Sequence, residues 1–183
     1  MMNLKTIISI SAVLIICVQL GCLKKETTMN PKIHHYLGIE MNQQTWTLLE
    51  KNNRDENDDI RMMYFAKASK YHWKRSSQFQ EINEQRGDWL ISHVYAVLGD
   101  GELALKYAST CLKLTKKNDY KGFDLAYAYE GLARAYAILK QTKNMEKYFN
   151  LAKEAGNDIE SEEDKKYFFS DLHSGPWFEC LKK

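Results

Sequence analysis

Histidine and cysteine are the residue types of this 183-residue chain whose spacing would show a metal site or a catalytic nucleophile most directly. The spacing of the histidines includes neither an H-E-x-x-H motif nor a pair at i and i+4, which would place two imidazoles on one helical face. We therefore predict no metal site, and we expect His72, beside Trp73, to be a half-buried packing residue. The five histidines are His34, His35, His72, His93 and His173.

Catalytic motifs are also missing from the sequence, which contains no G-x-S-x-G element and no glycine-rich phosphate loop. Cys111 has no histidine close to it along the chain and lies on an apolar helical face, so we expect it to be a small core residue. We predict no catalytic residue and no cofactor. The alternative is an enzyme or small-ligand binder with a charged pocket, built from Arg86, Asp124, Glu130 and Arg134 if the fold brings them together.

Composition favours an all-α fold around one core. Only two prolines and nine glycines interrupt a chain that is 44% apolar and 27% charged. The 26 basic and 24 acidic residues give a formal charge of +2, far from the basic surplus of nucleic-acid-binding proteins. We therefore expect no nucleic-acid partner.

Apolar periodicity and capping residues predict seven helices and no strand. Asn30-Pro31 is a helix start, and Ser161 with an acid three residues later is another. Gly99-Asp100-Gly101 separates two helices that should form an antiparallel hairpin. The predicted ranges are about 31 to 51, 57 to 74, 84 to 98, 102 to 116, 123 to 140, 143 to 155 and 161 to 173.

The two central hairpins match each other at a constant offset of 41 residues. Self-similarity at one offset predicts stacked helix pairs. The matched positions are Tyr95 with Tyr136, Leu98 with Leu139, Ala104 with Met145, and Cys111 with Ala152.

Within each hairpin an aromatic residue, a tight turn and a second helix of small or aromatic residues follow one another, which resembles the tetratricopeptide repeat. The first copy supplies Tyr95, Gly99, Ala104, Ala108, Cys111 and Leu112, and the second supplies Tyr136, Lys140, Met145, Phe149 and Ala152. The likeness covers about 86 to 155. The chain departs from the family pattern in three ways. It lacks the proline that ends the usual repeat, and its second copy lacks the turn glycine. Its spacing is also longer than the usual value of about 34 residues, because the link at 116 to 122 is longer.

This resemblance implies antiparallel helix pairs stacked as a short right-handed solenoid over residues 31–175, with 176–183 as a C-terminal tail. The segments 68–73, 94–99 and 123–130 are also similar to a group of uncharacterised bacterial helical proteins, a likeness that implies no activity.

In the tetratricopeptide family the first helix of each pair lines the concave surface. When the family's concave-surface positions are carried over to this sequence, the resemblance implies a binding groove. The groove consists of aromatic, arginine and other polar residues, and aromatic and arginine side chains are the types that anchor protein partners. The alternative places Trp89 and Tyr127 in the core and makes Glu130 and Arg134 a solvated i,i+4 ion pair. The implied groove residues are Arg86, Trp89, His93, Tyr127, Glu130 and Arg134.

The N-terminus carries Lys5 and then an apolar run that ends by Leu20, shorter than the roughly 20 apolar residues of a comfortable membrane span. Residues 1–21 therefore read as an export signal. Gly21-Cys22 resembles the lipoprotein signal, which implies lipidation of Cys22, followed by a linker at 22–30. Loss of Lys5 with the signal would leave a charge of +1. The alternatives are secretion, an uncleaved anchor, or a cytoplasmic protein that starts at Met29.

Together these features predict a non-catalytic helical-repeat module, held by lipid on the outer side of a bacterial membrane, that binds a peptide or protein segment. Besides the enzyme or small-ligand alternative, a purely structural spacer fits the same features. The sequence leaves the oligomeric state open.

Overall fold

The computed structural model describes residues 29–175 and residues 177, 178 and 180. The predicted signal peptide at 1–21, Cys22 and most of the linker at 22–30 lie outside the described residues and stay predictions. Among the described residues there are seven helices. They are α1 (Pro31–Leu49), α2 (Glu56–Trp73), α3 (Glu81–Val97), α4 (Gly101–Lys117), α5 (Gly122–Ile138), α6 (Thr142–Asn157) and α7 (Glu162–His173).

Side-chain caps set several helix starts. Asp55 caps α2 by accepting from the Asp58 N–H at 2.8 Å, and Ser161 caps α7 by accepting from the Asp164 N–H at 3.2 Å. The α3 helix begins three residues earlier than predicted because Asn83 accepts from the backbone N–H of Gln80 at 2.8 Å. This amide cap lacks the serine, threonine or aspartate that signals a start most clearly.

The helices pack in sequential antiparallel pairs. The α1–α2, α3–α4 and α5–α6 hairpins each pack internally, and successive hairpins meet through α2–α3 and α4–α5. First helices also contact each other, α3 with α5 and α5 with α7. The predicted all-α class is confirmed, and the packing is consistent with a short helical repeat stack.

The internal repeat is visible in the helix starts. Glu81 and Gly122 begin α3 and α5, and Gly101 and Thr142 begin α4 and α6, both 41 residues apart. The turns also match, since Gly99 and the equivalent Lys140 both have left-handed φ angles, 80° and 55°. The second copy therefore keeps the turn without its glycine, at a cost of about 1 kcal/mol.

The core lies between the hairpins and is rich in alanine, which lets helices approach closely. At the C-terminal end, Phe168 of α7 lies against Gly156 of α6, where an added Cβ would come within 2.4 Å of the ring. Trp177 is buried in the same cluster, so the chain after α7 returns to the core. None of the described helices combines the length and apolar character needed to cross a bilayer.

Candidate binding cleft

A cleft of about 360 Å³ opens on one face of the stack. All of its lining residues belong to α1, α3 and α5, the first helices of the three pairs, and to α7, which follows them and is counted here as a fourth first helix. A surface built from first helices is the one that stacked helix pairs leave free, because the second helices pack behind it. The lining residues are Asn42, Trp46, Gln85, Arg86, Trp89, Leu90, Phe123, Asp124, Tyr127, Asp164, Tyr167 and Asp171.

An aromatic row, consisting of Trp46, Trp89, Tyr127 and Phe168, runs across these four helices in order. The Trp46 and Trp89 rings are stacked with centroids 6.1 Å apart, and Trp89 meets Tyr127 edge to face at 5.0 Å. Tyr127 meets the fully buried Phe168 edge to face at 5.0 Å. Each contact therefore ties one first helix to the next, in geometries that aromatic rings prefer.

The outer ion pair of the cleft joins Arg86 of α3 to Asp124 of α5. The guanidinium donates from Nε to Oδ1 at 2.8 Å and from Nη2 to Oδ2 at 3.1 Å, a forked arrangement. This bond to Asp124 raises the pKa of Arg86. The guanidinium also lies 6.0 Å from the centre of the Phe123 ring.

The inner ion pair lies beneath the cleft, where Arg134 donates from Nε to Oε1 of Glu130. Both side chains are buried. The second oxygen of Glu130 accepts from the indole N–H of Trp89 at 3.1 Å. Trp89 and Glu130 are 41 residues apart, so equivalent positions of two successive repeats are bonded to each other. The inner pair therefore fixes one ring of the aromatic row.

Arg134 and Tyr127 both connect the inner pair to α7. Arg134 donates from Nη2 to the carbonyl of Asp171 at 2.7 Å, and its guanidinium lies 4.6 Å from the Trp177 ring centre. The hydroxyl of Tyr127 donates to Oδ2 of Asp171 at 2.7 Å. Burial and this hydrogen bond raise the pKa of Tyr127, so its phenol remains a donor.

Two further polar residues lie in or behind the wall. His93 stacks on Trp89 with centroids 5.1 Å apart, and burial lowers the pKa of His93, so its imidazole is neutral near pH 7. Gln85 donates its amide to Oγ1 of Thr115 at 2.9 Å. Within the described part of the chain, no hydrogen bond reaches Nδ1 of His93 or Oε1 of Gln85, although both atoms are buried.

The structure divides the six predicted groove residues into two sets. Arg86, Trp89 and Tyr127 line the cleft, whereas Glu130 and Arg134 are buried behind it and the half-buried His93 does not line it. The i,i+4 pair of Glu130 and Arg134 forms, but the alternative that placed it on a solvated face is wrong because α7 and Trp177 cover it. The same alternative placed Tyr127 and Trp89 in the core. Tyr127 is a buried core residue that also borders the cleft, whereas Trp89 is only half-buried.

Sequence reasoning missed the contributions of the first and last helices, namely Asn42, Trp46, Asp164, Tyr167 and Asp171. Their spacing was the available signal, because 42 and 46 share one helical face, as do 164, 167 and 171. Asp124 also lines the cleft, although the sequence predicts it only as a member of the charged pocket.

The other chemistry-bearing residues are separate from the cleft. Cys111 is fully buried, as predicted, and burial raises the pKa of its thiol. His72 is half-buried, and its Nδ1 lies 2.7 Å from Nδ1 of His34. Among the described residues, no three histidine, cysteine or acidic side chains cluster as metal ligands would.

Comparison of the chain with protein-family models, with curated proteins and with solved structures gave no significant match.

Proposed function

We propose that the domain binds a segment of a peptide or protein in the cleft formed by its first helices. The observation that carries this proposal is the continuous wall across α1, α3, α5 and α7, with Trp46, Trp89 and Tyr127 of the aromatic row at its centre. A linear segment laid across four helices can contact all of them. Large aromatic surfaces held in fixed orientations contribute binding energy without an ordering cost.

The network beneath the wall supports this proposal because it holds the wall rigid. Trp89 is hydrogen-bonded to Glu130, and Tyr127 to Asp171. A ring that is hydrogen-bonded at its edge and packed against a neighbouring ring loses little conformational freedom when a partner binds. Pre-organisation of this kind favours affinity for an incoming segment.

The charged-pocket alternative divides into an enzyme and a small-ligand binder. The geometry gives little support to an enzyme, because the four charged residues of that alternative are bonded to each other. Arg86 pairs with Asp124 at the surface, and Arg134 pairs with Glu130 in the interior. A small ligand has more support, because about 360 Å³ lies within the range of small-molecule sites. We favour a polypeptide because the cleft is open and crosses the whole row of first helices.

Site-specific photocrosslinking in cells that express the full chain tests the proposal. A benzoylphenylalanine introduced at Tyr167, which lines the cleft and is 63% exposed, should label a polypeptide partner. The matched control is Tyr36 on α1, which is 62% exposed and lies outside the cleft. Labelling at both positions alike, or at neither, would contradict a partner in the cleft.

The same experiment also tests whether a lipid on Cys22 anchors the chain to a membrane, which we propose from the sequence alone. In the Cys22→Ala variant, loss of lipid should release the chain from the membrane fraction. If the partner is membrane-bound, the crosslink at Tyr167 should weaken with it. Fractionation that is unchanged by Cys22→Ala would remove lipidation from the proposal.

A further inference from the structure

The charges in the cleft are unbalanced. Three lining residues are carboxylates, Asp124, Asp164 and Asp171, and one is a cation, Arg86. Two hydrogen bonds join Arg86 to Asp124, and the charge of Arg86 also acts on Asp164 without forming an ion pair with it. Among the described residues, no salt bridge involves the carboxylates of Asp164 or Asp171, both of which are exposed. The end of the cleft formed by α7 is therefore negatively charged.

Several hydrogen-bond donors of the wall are already engaged within the protein. The indole N–H of Trp89 points inward to Glu130, and the hydroxyl of Tyr127 is donated to Asp171. The amide of Gln85 is donated to Thr115, while its oxygen has no partner in the described part of the chain. The exposed carboxylates of Asp164 and Asp171 are acceptors only, so they favour a ligand that supplies hydrogen-bond donors.

The aromatic rings add a second preference for positive charge. Trp46, Trp89, Phe123, Tyr127 and Tyr167 all line the cleft, and the faces of such rings attract cations. Arg86 provides an internal example, since its guanidinium bonds a carboxylate and lies over Phe123 within the same cleft. A second guanidinium brought by a ligand would find Asp164 and Asp171 beside Tyr167 and Tyr127.

We propose that the segment bound in the cleft presents an arginine or lysine side chain to the carboxylates of Asp164 and Asp171. This inference rests on the proposed function and adds the chemical class of the ligand. A positively charged side chain supplies donors, neutralises the surplus charge and stacks on the rings. An acidic segment would instead meet carboxylates of the same charge, and a neutral segment would gain no ion pair with them.

Selection from a phage library of short random peptides, with the purified full-length chain as bait, provides the first test. Peptides enriched on the natural chain should contain arginine or lysine. The enrichment should be lost on Asp164→Lys, which reverses a charge at an exposed position. Thermal melting followed by circular dichroism verifies that this variant is folded.

The second test measures the contribution of the charge itself. One selected peptide is synthesised with arginine and with citrulline, which has the same shape without the charge, and binding is followed by calorimetry. The arginine form should bind about tenfold more tightly. The Asp164→Asn variant should weaken the arginine peptide about threefold and leave the citrulline peptide unchanged.

The matched control is Glu163→Gln. Glu163 lies in the same first turn of α7 and carries the same charge, but it does not line the cleft. Its replacement should leave the affinity of both peptides unchanged. An equal loss for Glu163→Gln and Asp164→Asn would show a general field effect and would overturn the assignment to the cleft.

The outcomes separate this inference from the function on which it rests. Enriched peptides that lack positive charge but lose binding on Asp164→Lys would overturn the cationic ligand and leave peptide binding intact. If no enriched peptide depends on the cleft, peptide binding itself fails. If N-acetylarginine amide competes as well as the whole peptide, the cleft takes a free organic cation and the peptide source is wrong.

Discussion

The outer and inner ion pairs of the cleft have the same chemistry in opposite surroundings. In the outer pair the side chains of Arg86 and Asp124 are 58% and 16% exposed, and water competes for their charges. In the inner pair those of Arg134 and Glu130 are 4% and 1% exposed. Burial therefore decides the role of an arginine–carboxylate pair. An exposed pair mainly sets the local surface charge and contributes little to stability, whereas loss of one partner from a buried pair is strongly destabilising.

The largest effect should come from breaking the inner pair. Arg134→Met leaves the carboxylate of Glu130 buried without its cation and should lower the free energy of unfolding by about 3–5 kcal/mol. Urea denaturation measures this change in the free energy of unfolding. The double variant with Glu130→Leu removes both charges and should recover part of the loss. A single variant that costs less than about 1 kcal/mol would show that water reaches Glu130.

A smaller effect should follow from removing the link between the aromatic row and α7. Tyr127→Phe deletes the hydroxyl that donates to Asp171 at 2.7 Å and should cost about 1 kcal/mol. The cost stays small because water can solvate the exposed carboxylate of Asp171. Tyr167→Phe is the control, since it removes an exposed hydroxyl of the same cleft and should leave the melting temperature unchanged.

The smallest effect on stability should come from the outer pair. Arg86→Gln should change the free energy of unfolding by less than about 1 kcal/mol. Its effect on binding should be larger, because Asp124 becomes available and the affinity for an arginine-containing peptide should rise about threefold. Arg61→Gln is the control, because it removes a similarly exposed arginine outside the cleft and should not raise the affinity for that peptide. A weaker affinity for Arg86→Gln would mean that Arg86 itself contacts the ligand.

Local signals allowed the helices to be predicted from the sequence. Apolar residues at helical spacing and caps such as Ser161 carry their information within a few neighbouring residues. The 41-residue offset then indicated which helices stack. The start of α3 was placed too late because the cap formed by Asn83 is less distinctive.

The depth of each residue below the cleft could not be predicted in the same way. Trp89 and Tyr127 line the cleft, as the register of the repeat predicts. Arg134 follows that register but lies behind the cleft, because Asp171, Ser174 and Trp177 return over it. Nothing within α5 indicates that a segment about 40 residues later will cover its polar stripe.

The short last helix connects binding to local unfolding. With 12 residues, α7 is shorter than the other described helices, yet it supplies three lining residues of the cleft. A ligand that contacts α7 can bind fully only while α7 is folded against α5. At a concentration ten times its Kd, such a ligand opposes the opening of α7 by about 1.4 kcal/mol, which slows amide hydrogen exchange there roughly tenfold.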